Sequence, residues 1–172
     1  MSQIGFLFEQ KYCIGCQACQ MACQVRNQTA VGLYPRVADN ADHKLIGPFI
    51  SLACNHCEAP ACLAGCPVGA LQKREDDGIV THDLEVCTGC MICVNLCPYG
   101  ACKENADTGK IIKCDLCVAR LDNDDEPACV LSCPLKVLTV GTLEENEAAG
   151  GVQEGVGFTI EPTGPSTRFI PI

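Results

Sequence analysis

Cysteine is the residue in this chain whose number and spacing could do chemistry. Seventeen of the 172 residues are cysteines, and sixteen of them fall into four groups of four. Cys13, Cys16, Cys19 and Cys23 are spaced C-x2-C-x2-C-x3-C. Cys54, Cys57, Cys62 and Cys66 follow as C-x2-C-x4-C-x3-C, with Pro67 next. Cys87, Cys90, Cys93 and Cys97 repeat the first spacing and end on Pro98. Cys114, Cys117, Cys129 and Cys133 open a gap of eleven residues between the second and third cysteines, and Pro134 follows the last.

Thiols in such numbers serve as disulfides, zinc ligands or iron–sulfur ligands. Disulfides persist in oxidising compartments. The odd count leaves a thiol over. Residues Met1 to Lys11 have no basic n-region, apolar h-region, small-residue cleavage site or twin-arginine pair, so the expectation is a reducing compartment and a cytoplasmic protein. Structural zinc draws on two C-x2-C-like pairs separated by a longer loop, whereas each four here has its own internal spacing. Iron–sulfur ligation fits the pattern. C-x2-C-x2-C-x3-C-P is the bacterial ferredoxin signature, whose fourth cysteine ligates the other cluster of a pair. Three close thiolates wrap three corners of a cubane from one loop, and the fourth opens a short helix pointing away. Sixteen ligands at four per cluster imply four 4Fe–4S clusters and leave Cys102 over.

The elements that hold these loops follow from the residues between them. Leu71–Lys73 and Ile79–Thr81 flank a turn at Asp76-Asp77-Gly78, which reads as a β-hairpin. That hairpin joins the second and third groups into one two-cluster ferredoxin unit over residues 52–107. Strands are expected at Ile4–Glu9 and Val137–Val140, and short helices at Gln17–Arg26, Met91–Leu96 and Val118–Asp122. The first and last groups must then pair, so residues 1–30 and 108–143 form an outer unit with the other inserted in it. The fold class is α+β, two nested units of short helices and hairpins. The expected ligand sets are Cys13, Cys16, Cys19 with Cys133, and Cys114, Cys117, Cys129 with Cys23. The inner sets are Cys54, Cys57, Cys62 with Cys97, and Cys87, Cys90, Cys93 with Cys66. Residues 31–51 read as a polar connector. Residues 144–172 read as an extended arm, ordered by docking on a partner or, as the alternative, by packing back over the clusters.

Composition narrows the function. Apolar residues make up 48%, but about a tenth of the chain is cysteine, there is no Trp, and aromatics are 5%. Without cysteine the apolar share falls below the ordinary ~45–50%, so the clusters must stand in for part of a core. No run approaches the ~18–20 apolar residues that span a bilayer. The net charge of −9, with no basic run, argues against nucleic acid and anionic lipid. Four dianionic clusters would take it to about −17, suiting a basic patch on a partner.

The motifs resemble the four-cluster iron–sulfur subunit of the dimethyl sulfoxide reductase and formate dehydrogenase superfamily of molybdopterin enzymes. The likeness runs from Cys13-Ile14-Gly15-Cys16-Gln17-Ala18-Cys19 through Cys54-Asn55-His56-Cys57-Glu58-Ala59-Pro60-Ala61-Cys62 to Cys97-Pro98-Tyr99-Gly100-Ala101. It continues in Lys113-Cys114-Asp115-Leu116-Cys117 and Pro127-Ala128-Cys129-Val130-Leu131-Ser132-Cys133-Pro134-Leu135, and Ser166-Thr167-Arg168-Phe169-Ile170-Pro171 adds a C-terminal motif. The resemblance implies nested clusters leading to a partner's molybdenum or tungsten site, in anaerobic metabolism. Some relatives carry Trp at the position of Cys93 and hold a three-iron cluster there; Cys93 implies four irons. Cys23 departs from the pattern, being followed by Gln24 rather than proline. The implied partners are a large molybdopterin-containing catalytic subunit and a further electron donor, acceptor or membrane quinone-reactive subunit. Export, folded, beside a signal-bearing partner is the alternative to the cytoplasm. The rival functions are a free polyferredoxin, a subunit of a hydrogenase or formate–hydrogen lyase assembly, and a sensing or structural cluster protein with fewer clusters.

No nucleotide loop and no Ser/His/Asp-like set is present, so no substrate chemistry is expected on this chain. Cys102 reads as a spare thiol rather than an alternative ligand. His56, between two ligands, either bonds a cluster sulfur or fixes its loop. His43 and His82 read as surface residues. Lys73, Lys113, Arg120 and Lys136 flank the loops and default to solvated charges.

Overall fold

The structure, a computed structural model, describes residues 2–41 and 47–172. Strand β1 (Ile4–Glu9) runs into a 3-10 turn (Gln10–Tyr12) and helix α1 (Ala18–Asn27). Strands β2 (Val37–Asn40) and β3 (Phe49–Leu52) come next, then helix α2 (Ala61–Ala64). The hairpin β4 (Leu71–Lys73) and β5 (Val80–His82) leads to helix α3 (Ile92–Leu96) and a hairpin of β6 (Lys103–Asn105) and β7 (Lys110–Ile112). Helices α4 (Val118–Leu121) and α5 (Ala128–Leu131), strand β8 (Leu138–Thr142), helix α6 (Leu143–Ala148) and strand β9 (Arg168–Ile170) complete the chain. The architecture is mixed α and β, with small sheets and short helices.

The ends of the chain meet in one sheet of order β8-β1-β9. β1 is antiparallel to β8, with Phe6 opposite Val140, and parallel to β9, with Phe8 opposite Phe169. Phe6, Phe8, Leu138 and Phe169 bury their side chains beneath this sheet. Helix α1 packs against α5, and α2 against α3. The first cysteine loop therefore lies against the last, and the second against the third. The expected hairpin at 71–81 is present with Leu71 opposite His82, one residue further along than the pattern suggested.

The connector and the arm differ from expectation. The connector is not featureless, because β2 and β3 pair from Val37↔Leu52 to Asn40↔Phe49. The acidic start of the arm is helix α6, whose capping box has Glu145 N–H donating to Thr142 Oγ1 and Thr142 N–H to Glu145 Oε2. Beyond it, the arm packs back along the second cysteine loop, the alternative to docking on a partner. Glu58 and Ala59 N–H donate to the Gly164 and Thr163 carbonyls, and Ser166 N–H and Oγ both donate to Asn55 O. Aromatic contacts seat it further, with Phe158 stacked on Tyr99 at 5.4 Å and tilted on Phe169 at 5.0 Å. The physical reason is the third strand, since β1 has a free edge that only β9 fills.

Gly5 makes that approach possible: a Cβ there would lie 2.2 Å from the Ser166 carbonyl oxygen. Gly5→Ala is expected to cost about 1–3 kcal/mol and to open residues 163–172 to proteolysis while the iron content stays whole. Removal of iron by a chelator is expected to abolish the far-ultraviolet circular dichroism of the fold, because helices of four to ten residues cannot hold themselves.

Candidate metal centres

All four cysteine loops turn the same way. The residue before the second cysteine of each has positive φ: Gly15 at 65°, His56 at 40°, Gly89 at 70° and Leu116 at 56°. A left-handed residue in such a turn aims successive N–H groups to one side and builds a concavity for an anion, as at many iron–sulfur sites. Glycine takes this conformation freely. His56 and Leu116 do not, and each bears roughly 1–3 kcal/mol of strain. Both are completely buried, and His56 is pinned by accepting 2.9 Å from Val80 N–H at Nδ1. His56 is thus a loop-fixing residue. A second shared turn follows the fourth cysteine in Cys-Pro-x-[Gly/Lys], with positive φ at Gly69, Gly100 and Lys136. Cys23 lacks the proline, and there the helix simply runs on to Asn27.

The cysteines gather in space from loops that are distant in sequence. Cys66, Cys87, Cys90 and Cys93 line one cavity, with Leu71, Met91 and Ile111 in its walls. Cys23, Cys114, Cys117 and Cys129 line a second, against Phe6 and Leu116. Cys13, Cys16, Cys19 and Cys133 line a third, against Phe8 and Leu138. Burial first, and then the nearby Cys54, Cys97 and Cys62, oppose ionisation of Cys57. Similar apolar cavities, each ringed by four thiols and opening beside a nest of N–H groups, fit a cubane anion.

Donors reach the sulfurs from several elements. Thr163 Oγ1 donates to Cys57 Sγ at 3.3 Å, and Ser51 Oγ lies 3.3 Å from Cys19 Sγ. Ala101 N–H donates to Cys97 Sγ and Leu116 N–H to Cys114 Sγ, both at 3.3 Å, and Asn27 Nδ2 approaches Cys23 Sγ at 3.5 Å. Such bonds raise a cluster's potential by favouring the more anionic state. Burial pushes the thiols of Cys23 and Cys57 up to about 11. Since the ligand is the thiolate, filling these sites releases protons.

Cys102 lies buried beside Cys62 and Cys97, and hydrogen bonding to its thiol brings their values down to about 7 and about 5. Its own value rises for the same reason. His82 is also not an ordinary surface residue, for it lines the cavity of Cys66, Cys87, Cys90 and Cys93, and burial lowers it to about 4. Lys113 is wholly buried rather than solvated. Lys73 is half-buried and donates to Gln3 Oε1 and the Cys57 carbonyl, while Arg120 is half-buried and Lys136 exposed. His43 lies outside the described residues. Ser51, Thr163 and Asn27 were missed by sequence reasoning, because nothing in their local pattern marks a polar residue that will meet a distant sulfur. Cys102→Ala is expected to leave iron content unchanged, whereas Cys97→Ala loses about four irons per molecule by elemental analysis.

Comparison with known proteins bears on these sites. A family model described as a 4Fe-4S dicluster domain matches residues 46–143, and one described as a 4Fe-4S binding domain matches residues 10–26. YnfG of Escherichia coli, a probable anaerobic dimethyl sulfoxide reductase component, is 38% identical over 156 residues, covering 84% of this chain and 76% of its own length. The thiosulfate reductase electron transfer subunit PhsB of Salmonella typhi is 38% identical over 163 residues, 91% of this chain and 82% of its own. An anaerobic dimethyl sulfoxide reductase component of Haemophilus influenzae is 32% identical over 169 residues, covering 91% of this chain and 82% of its own.

Proposed function

Because this protein belongs to the 4Fe-4S dicluster family, we propose that it is the electron-transfer subunit of a reductase complex, passing electrons through four 4Fe–4S clusters to or from a molybdopterin catalytic subunit. The four cysteine quartets carry this reading. In it, Cys13, Cys16, Cys19 and Cys133 hold one cluster, and Cys23, Cys114, Cys117 and Cys129 a second. Cys54, Cys57, Cys62 and Cys97 hold a third, and Cys66, Cys87, Cys90 and Cys93 the fourth. The exchange of fourth ligands makes two nested two-cluster units, one of residues 1–30 with 108–143 and one of 52–107. The iron–sulfur groups supply one-electron storage; the chain supplies spacing, apolar walls and donors to sulfur.

The two ends of the relay lie where thiols reach the surface. Cys16 and Cys90 are the exposed cysteines. Beside Cys16 stand exposed Tyr12 and Ile14, and beside Cys90 exposed Leu84, Val86 and Ile92. Apolar surface around an electron port suits a partner that closes over it. Among the described residues no helix is long and apolar enough to cross a membrane. Thiols kept free for clusters favour a reducing compartment, so the cytoplasm is the proposed location, and fractionation with the periplasmic proteins would revise it to export beside a partner.

Purification of the native protein without denaturant tests the proposal. Co-purification of a large chain containing molybdenum or tungsten is expected, and Ile14→Asp or Ile92→Asp is expected to slow electron transfer across one port at least tenfold. A free 18.3 kDa monomer, or nickel in place of molybdenum, would overturn it.

A further inference from the structure

Two cations are buried among the thiols with no acidic partner among the described residues. Arg36 is 1% exposed and Lys113 0%. Among the described residues, neither takes part in an ion pair. Such a charge persists inside a protein only beside a compensating one.

Their positions say what compensates them. Arg36 Nη1 donates to Ser51 O and Ser51 Oγ, both at 3.1 Å. Ser51 lines the cavity of Cys13, Cys16, Cys19 and Cys133. The guanidinium Cζ lies 4.2 Å from the centroid of Phe6, which lines the cavity of Cys23, Cys114, Cys117 and Cys129. Arg36 therefore stands in the wall between two quartets. Its Nε and Nη2 are buried with no hydrogen-bond partner.

Lys113 occupies the next wall. Its Nζ donates to Cys114 O at 2.7 Å and to Val80 O. Cys114 belongs to the quartet that Arg36 already flanks. Val80 N–H is held by His56, inside the loop between Cys54 and Cys57. Burial pulls both cations towards neutrality, yet both are held charged by surrounding thiolates. For Arg36 these are Cys129, Cys114, Cys19 and Cys23, and for Lys113 they are Cys54, Cys114, Cys102 and Cys62. The cavity of Cys23, Cys114, Cys117 and Cys129 thus has a buried cation on each of two sides.

We propose that Arg36 and Lys113 are tuning residues for the relay, raising the reduction potential of the cluster held by Cys23, Cys114, Cys117 and Cys129 by standing in the walls it shares with its two neighbours. The inference rests on the reading of the quartets as cluster ligands. One-electron reduction takes a cubane with four thiolates from a charge of −2 to −3, and a fixed positive charge favours the more negative state. Both charges stand beside the cavity that would hold this cluster, so each would stabilise its reduced form. Neither residue titrates or ligates iron; each acts through its charge.

Redox titration of the intact holoprotein, followed by electron paramagnetic resonance, tests this in Arg36→Gln and Lys113→Gln beside the charge-keeping Arg36→Lys and Lys113→Arg. Removing either charge is expected to shift the reduction equilibrium of one cluster at least tenfold towards the oxidised form, a fall of about 59 mV for a one-electron couple. The charge-keeping variants hold the original potential. Loss of that one cluster's iron in the glutamine variants, with full iron in the charge-keeping ones, supports the same conclusion. Full iron with unaltered potentials in the glutamine variants would overturn it. Equal iron loss in both members of a pair would also overturn it, by showing that shape rather than charge is what the wall needs. Wild-type iron far from about 16 per chain would instead strike at the quartet reading itself.

Discussion

Everything in this molecule depends on the bond between cysteine sulfur and iron. The helices run from four to ten residues, short of the ~12–15 at which an isolated helix holds in water. Three of the sheets are two-stranded, which alone are marginal. The buried side chains form two groups, and cysteines stand in both among few large apolar residues. In the proposed pairing a cubane would close loops that are far apart in sequence, such as those of Cys13 and Cys133, and so do the work that aromatic and aliphatic volume does in an ordinary domain.

That dependence explains what was legible in the sequence. The quartets could be read because a cubane fixes ligand spacing within one loop, and Gly15 and Gly89 mark two of its turns openly. The other two turns were hidden, since His56 and Leu116 adopt the same left-handed conformation against their preference and are held there by burial. Strand β1 and the helices after Cys16 and Cys90 were found within a residue. The hairpin of β2 and β3, the helix α6 and the strand β9 were not, although an arm packed back over the clusters was legible as an alternative. Their signal lies in long-range pairing: Phe169 is a strand residue because Phe8 is opposite it, and Ser166 approaches because Gly5 has no side chain. Short strands with Asp39, Asn40 and Ser51 in them look like loop by composition.

Charge was the least legible property. A lysine beside a cysteine motif is ordinarily a solvated surface residue, and Lys113 differs only because β5, the Cys54 loop and the last cysteine loop close over it. The same anionic density that burdens the fold gives these cations their place. Polar groups from the connector and the arm, Ser51 and Thr163, extend the pattern by reaching sulfurs distant in sequence. Segments that look dispensable between cysteine loops thus take part in setting the environment of two of the quartets.

Mössbauer spectroscopy of protein grown on iron-57, with iron and sulfide counted per chain, tests the central claim most directly. About 16 irons and 16 sulfides per chain, all in four-iron clusters, is the result that four quartets require. About eight irons, or zinc in the place of iron, would contradict it.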